Sequence, residues 1–347
     1  MKNAQATIRD IAIKLNISIS TVSRALRGAP DVNAETKKSV LEMAEKLSYE
    51  PNRIAQSLRI KRTKTIGVIV PEINLHFFSS ALSGIQDYCA SRGYSIMICQ
   101  SMESVKTEKS NIQMLVSNRV DGLIISLSSQ TENLDHLRQL VDKSIPIVLF
   151  DRVTDELNVS KVIVDDHDGA FKAVSHLIRT GCRRIAYVGG PETMLISKQR
   201  EKGYRDALRE HNLAEDPALV VHCQDLQHEV PEALRNLLQN HSDVDAIFCL
   251  NDPIAIIALQ ILKERKTHVP DQVSVVGFTN EPVSALIEPS LTTVSQPSHE
   301  MGKTAARLFI DQLEHEGEFT PVTEIMKTEL IVRHSTRHSF QVSDRPG

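Results

Sequence analysis

Along residues 7–28, TIRDIAIKLNISISTVSRALRG, apolar side chains recur at Ile8, Ile11, Ala12 and Leu15, the i, i+3, i+4, i+7 stripe of an amphipathic helix. Thr7 stands just ahead as an N-cap, and Asp10 three residues on completes a capping-box-like pair. The stripe breaks at Asn16-Ile17-Ser18. Asn tolerates the left-handed backbone that a tight turn demands, and Ser18 is a cap for a second helix. Val22, Ala25 and Leu26 then face inward, which leaves Ile19, Ser20, Ser23, Arg24 and Arg27 outside. The pattern predicts a helix-turn-helix. A short second helix with a polar, basic outer face is the element that enters a DNA major groove. A third stripe, Val40, Met43, Ala44 and Leu47 with Asn33 as cap, predicts a helix over 34–48 that closes a small core. Pro51 stops it. Asn52 is a cap for a helix from Arg53 to about Leu58, two turns long and too short to stand alone in water.

From residue 65 the periodicity changes. Short apolar runs occupy 65–71, 94–100, 120–127, 145–151, 161–166, 183–190, 219–224, 246–252 and 273–280. Helical stretches at 79–92, 107–118, 168–180, 197–211, 229–239 and 253–265 alternate with them. Near-continuous Val/Ile/Leu strands joined by helical crossovers predict parallel sheets covered on both faces. Nine such units are too many for one tidy sheet, so two α/β lobes are expected. Several strands end on polar groups, Asp151, Asn251-Asp252 and Thr279-Asn280. Open α/β sheets bind ligands beyond the carboxyl ends of their strands, so a polar cleft between lobes suits a small molecule gripped by hinge closure.

Charge is partitioned along the chain. Residues 1–64 carry 13 Lys and Arg against 6 Asp and Glu, a formal +7, and the remainder carries 27 against 38, a formal −11. The overall value of −4 therefore hides a basic head on an acidic body. Only the head has the electrostatic footprint of phosphate binding.

Other chemistries come out weak. MKNAQATIRD has no apolar core of a signal peptide, and no apolar run approaches the roughly 18 residues that a membrane span needs. The five cysteines, Cys89, Cys99, Cys182, Cys223 and Cys249, form no CxxC pair and read as packed thiols in a reducing cytoplasm. His167-Asp168 and His299-Glu300 lack second partners at metal spacing, Gly189-Gly190 is no dinucleotide fingerprint, and nucleophile-elbow and phosphate-loop motifs are absent. No metal, no cofactor and no enzymatic activity are expected. The competing reading is a sugar-binding or sugar-processing α/β protein with an accidental helical head. The basic head and the absence of an export signal or a catalytic pair weigh against it.

Over nearly its full length the chain resembles the LacI/GalR family of transcriptional regulators. The resemblance rests on TIRDIAIKLNISISTVSRAL, YEPNRIAQSLR, TIGVIVP, DGLII, VLFDR, RRIAYVGG, the Asn251-Asp252 pair, SVVGF, LTTVSQP and Met301-Gly302. It implies a small all-α helix-turn-helix domain on a two-lobed α/β core like that of periplasmic binding proteins. The implied divisions are a head over 1–50, a hinge over 51–64, one lobe from 65–160 and 293–323, another from 161–292 and 324–340, and a tail over 341–347. The implied partners are double-stranded operator DNA, near-palindromic and bound by a homodimer, and a small effector: a sugar, sugar acid or sugar phosphate. The expected location is the cytoplasm of a bacterium, on the nucleoid, with no membrane association. The tail RHSTRHSFQVSDRPG carries no leucine heptad, so a dimer is expected rather than a tetramer.

Residue by residue, the resemblance puts Ile19, Ser20 and Arg24 against base edges, with Arg24 suited to a bidentate contact to guanine. Ser18, Thr21, Ser23, Asn33, Thr36, Tyr49 and Asn52 suit the DNA backbone, and Thr7 and Arg27 are expected at the DNA as well. Leu58 matches the hinge leucine that wedges into the minor groove, and Ala55 lets two hinge helices approach. In the cleft it implies Phe77, Phe78, Asp151, Arg152, Arg200, Asn251, Thr279 and Asn280. The family pattern has Asp where this chain has Thr279. That departure removes one carboxylate acceptor and leaves room for an anionic effector.

Overall fold

The computed structural model describes residues 6–49, 62–225, 228–315, 317 and 319–337. The expected hinge helix, with Asn52, Ala55 and Leu58, and the tail lie outside them. The chain divides into two units, one up to Thr63 and one from Lys64 onward.

Among the described residues, the first unit holds three helices, α1 (Ile8–Leu15), α2 (Ile19–Leu26) and α3 (Ala34–Lys46). Each starts on a polar cap. Thr7 and Asp10 form a full capping box, the Ser18 hydroxyl accepts from the Thr21 amide, and Asn33 accepts from the Thr36 amide at 2.7 Å. Asn16 ends α1 with φ 51°, the left-handed turn expected of it. Ile11, Ala12, Val22, Ala25, Val40 and Ala44 form the buried core, with Leu15, Leu26, Met43, Leu47 and Tyr49 packed around it.

The second unit holds two six-stranded sheets. The first orders β11 (Thr323–Met326), β5 (Ser160–Val164), β4 (Ile147–Phe150), β3 (Leu123–Ile125), β1 (Thr65–Val70) and β2 (Ser95–Gln100), every pair parallel. The second orders β12 (Glu329–Ile331), β10 (Thr292–Ser295), β9 (Ser274–Thr279), β8 (Ala246–Cys249), β6 (Ile185–Gly189) and β7 (Val220–His222). Only β12 runs antiparallel in it. Helices α4 (His76–Ser91), α5 (Val105–Ser117), α6 (Asp135–Asp142) and α11 (Ser298–Glu314) belong to the first lobe. Helices α7 (Asp166–Arg179), α8 (Leu195–Glu210), α9 (Val230–Asn240) and α10 (Asp252–Glu264) belong to the second. Each sheet buries an apolar cluster on both faces, the reason its strands read as unbroken apolar runs.

The nine apolar runs correspond to β1–β9. The lobe boundaries differ from those expected. β5 pairs with β4 and β11 in the first sheet, although 161–292 and 324–340 were assigned to the second lobe. β10 pairs with β9 in the second sheet, although residue 293 onward was assigned to the first. The cause is topological: the chain crosses between lobes after β5, after β10 and again after β11, and an apolar strand carries no mark of the sheet it joins.

Helices cross closely where glycine allows it. A Cβ on Gly302 of α11 would fall 1.9 Å from the Ala81 carbonyl oxygen of α4, and one on Gly84 would fall 2.0 Å from that of His299. Gly203 plays the same part between α8 and α7, 2.3 Å from the His167 oxygen. All five cysteines are free thiols, four of them buried. Burial pushes Cys89 up to about 12 and Cys223 to about 11, so these are packing groups rather than reactive ones. Among the described residues no helix is long and apolar enough to cross a membrane, and no group of His, Cys, Asp or Glu is arranged to hold a metal ion.

Candidate DNA-reading helix and effector cleft

On the head, α2 presents Ile19, Ser20, Arg24 and Arg27 to solvent, and Thr21 and Ser23 half-buried beside them. Val22 and Ala25 are wholly buried, which fixes the rotation of the helix and so the outward set. Arg24 reaches Asp31 at 2.8 Å in an exposed ion pair. An exposed pair of this kind is worth about 0–1 kcal/mol, little enough for a guanine edge to displace. The Arg27 Nε donates to the Ser23 carbonyl at 2.9 Å. Thr7, Ser18 and Asn33 use their side chains as helix caps, with Ser18 also sharing hydrogen bonds with Ser20 at 2.7 Å and Thr21 at 2.8 Å. Their structural duty is therefore definite, and the helix starts they mark are places where backbone N–H groups suit phosphate. Tyr49 packs half-buried on the head core.

In the body, the strand ends converge on a cleft lined by Leu75, Phe77, Phe78, Asp151, Arg152, Met194, Ile196, Arg200, Leu250, Asn251, Pro253, Thr279, Glu281 and Gln296. Phe77 and Phe78 start α4 in the first lobe, edge to face with centroids 5.1 Å apart. Asp151 follows β4 with φ 58°, a strained turn that aims it off the strand end. Arg200, in the second turn of α8, donates Nε and Nη2 to Asp166 at 2.7 Å each and Nη1 to the Leu250 carbonyl at 2.6 Å. Its guanidinium lies 3.6 Å over the Phe278 ring. Arg152 makes 2.6 and 2.7 Å bonds to Glu103.

Charge in the cleft is shaped by burial. Burial lifts the Asp151 carboxyl to about 7, against the pull of Arg152 and Arg200. It lifts Asp166 as well, against Arg200, and Asp252, against the hydroxyls of Ser284 and Thr293. Burial also works on Glu103, but there Arg152 and the Ser129 amide outweigh it and hold the carboxyl low. Three buried polar atoms in the cleft lack a partner: Thr279 Oγ1, Gln296 Oε1 and Arg152 Nε. Such atoms also occur away from the cleft, at Ser101, Ser175 and Ser274 for example, and those in the cleft are available to a polar ligand or to water.

The cleft thus brings together Phe77, Phe78, Asp151, Arg152, Arg200, Asn251 and Thr279. Asn280 departs from the expectation. It accepts from Arg333 at 2.8 Å and donates to Ser295, so it braces the second sheet instead of lining the cleft. Asn251 also caps α10, accepting from the Ile254 amide. The sequence reading passed over Glu281 and Gln296. A signal for Glu281 existed: α4 begins at Leu75-His76 with no Ser, Thr, Asp or Asn to cap it, so its acceptor had to come from elsewhere.

A helix-turn-helix head on a two-lobed α/β body with a polar interlobe cleft defines a DNA-binding protein built around a small-molecule receptor. Residues 7–52 match the family described as bacterial regulatory proteins, lacI family, and residues 174–336 match a periplasmic binding protein-like domain. The chain is 31% identical to the HTH-type transcriptional repressor PurR of Aliivibrio salmonicida, across 95% of this chain and 98% of that protein. Among solved structures, the lac repressor dimer bound to operator and the anti-inducer ONPF superposes with a TM-score of 0.85 at 25% identity, over 96% of this chain and 100% of that one. A complex of the transcriptional regulator CelR with cellobiose gives 0.73 at 30% identity, over 95% and 100%. The chain belongs to the lacI family of bacterial regulatory proteins, and its function class is DNA-binding transcription regulation.

Proposed function

We propose that the protein is a repressor, not an enzyme, that binds a near-palindromic operator as a homodimer. The effector is a small sugar-like molecule held in the interlobe cleft. The observation that carries this reading is the pairing of an exposed, basic α2 with a cleft whose polar atoms Thr279 Oγ1, Gln296 Oε1 and Arg152 Nε await a partner. Arg24 reads a guanine, Ile19 offers apolar contact, and Ser20 accepts several bases. Thr7, Ser18, Thr21, Ser23, Arg27, Asn33, Thr36, Tyr49 and Asn52 set the register on the backbone. Leu58, backed by Ala55, wedges the minor groove at the centre of the site. In the cleft, Phe77 and Phe78 wall the effector, and Asp151, Arg152, Arg200, Asn251 and Thr279 bond it. Effector binding changes the angle between lobes, which changes the spacing of the two heads of a dimer and so the affinity for a two-part site. The protein works in the cytoplasm.

Two measurements test this. Selection from randomised duplexes should return a symmetric site, and Arg24→Ala should cost about 1–3 kcal/mol of specific binding and relax one symmetric position. Sugars that raise the melting temperature should then alter affinity for that duplex. A stabilising sugar with no effect on DNA binding would break the proposed coupling.

A further inference from the structure

Helix α4 enters the cleft without a cap of its own. Its N-cap position is Leu75, with no side-chain cap bond and no acidic residue in the first turn. The free N–H groups at a helix start need acceptors, and the partial positive charge there favours an anion. That anion comes from the other lobe. Glu281, just past β9, places Oε2 3.1 Å from the His76 amide nitrogen and Oε1 3.3 Å from that of Phe77.

The turn that carries Glu281 is pinned in place. Asp252, wholly buried, accepts from the Glu281 amide at 2.8 Å, the Ser284 hydroxyl at 2.6 Å and the Thr293 hydroxyl at 2.5 Å. Gly277 makes room for it, since a Cβ there would fall 2.3 Å from Asp252 Oδ1. The carboxylate is therefore held towards α4 by buried bonds in its own lobe.

The cations lining the cleft are occupied too. Arg152 is bound to Glu103, and Arg200 to Asp166 and the Leu250 carbonyl. Each guanidinium of the wall thus already faces an internal carboxylate, with Arg152 Nε a buried donor left without a partner. The other open atoms have a different character. Gln296 Oε1, on a side chain of a residue only 7% exposed, is an acceptor waiting for a donor, and Thr279 Oγ1 stands near the same space. Hydroxyls can donate to such an acceptor, whereas phosphates and carboxylates ionised at neutral pH cannot.

We propose that Glu281 is a resident anion of the cleft. It ties the lobes together across the start of α4, and it reserves the site for uncharged, hydroxyl-bearing effectors by standing where a ligand phosphate or carboxylate would bind. This rests on the cleft being the effector site and narrows the effector class to neutral polyols and sugars.

The test compares full-length wild type with Glu281→Ala and Glu281→Gln, in the absence of DNA and sugar. Small-angle scattering reads lobe opening, and calorimetric titration with inorganic phosphate at fixed ionic strength reads anion binding. The basic head contributes equally to all three proteins. The expected result is an increased radius of gyration in Glu281→Ala and phosphate affinity about tenfold above wild type, with Glu281→Gln in between. Should Glu281→Ala fail to fold, Glu281→Gln alone must still show both changes. Expansion without gained phosphate binding overturns the reservation, and gained binding without expansion overturns the tie. Neither readout involves operator or effector, so failure here is distinguishable from failure of the regulatory reading.

Discussion

Burial lifts the Asp151 carboxyl to about 7 from an ordinary value of 3.8, so this side chain takes up a proton when the chain folds. Its contribution to stability is full below the unfolded value and is lost as pH rises through about 7. Asp151→Asn should therefore flatten the dependence of unfolding free energy on pH between about 4 and 8, by an amount on the order of 1–4 kcal/mol. Denaturant titrations of both proteins across that range would show it, and parallel curves would remove the assignment. At this scale the sequence was informative where chemistry is local. Asn16, Thr7, Ser18 and Asn33 do what their short polar side chains suit them for, and Asp151 and Thr279 lie at strand ends that apolar runs had already located. The uncapped start of α4 pointed to a missing acceptor but could not name Glu281, whose partner amides are 205 and 204 residues away. The sequence misplaced Asn280, because a polar residue after a strand looks the same whether it faces a cleft or braces its own sheet.

Among elements, the crossing of α4 and α11 is the tightest. With 1.9 Å between a hypothetical Gly302 Cβ and the Ala81 oxygen, backbone meets backbone and no side chain can yield. Gly302→Ala gains about 1 kcal/mol of helix propensity, yet it must push two helices apart within a close-packed layer. Overpacking typically costs about 1–3 kcal/mol and more when backbone must move. The net expectation is a lower denaturation midpoint for the α/β body, with the three-helix head unchanged, resolved by following tyrosine and helix signals separately. Helix and strand runs of the body were legible because sheets covered on both faces give unbroken Val/Ile/Leu segments. Strands β10, β11 and β12 were not picked out. Two of them are half-exposed edges with mixed polarity, Thr323–Met326 and Glu329–Ile331, and edges lack the apolar run that marks a central strand.

For the whole molecule, the split of +7 and −11 between head and body predicts two responses to salt. Binding of the full-length protein to its operator should fall with a log–log slope of about −5 to −9, as a dimer contacting six to ten phosphates would require. Effector binding in the body, where the cations are already paired, should barely change. Titrations by fluorescence anisotropy between low and moderate salt measure both in one preparation. Equal slopes would mean that the charge partition has no functional counterpart. Sedimentation should give the mass of two chains, and a four-chain species at micromolar protein would count against the dimer.

The three crossings between lobes also set an order of events during synthesis. The three helices α1 to α3 are all present once α3 has left the ribosome, whereas the first sheet lacks its edge strand β11 until nearly the whole chain has been made. At ordinary elongation speeds the interval is on the order of tens of seconds. Through that time a nascent chain has a folded DNA-reading module and no finished receptor. A chain truncated late, anywhere before β11, would leave both lobes incomplete while sparing the head. Such a fragment has the surface to touch DNA but nothing to pair it or instruct it.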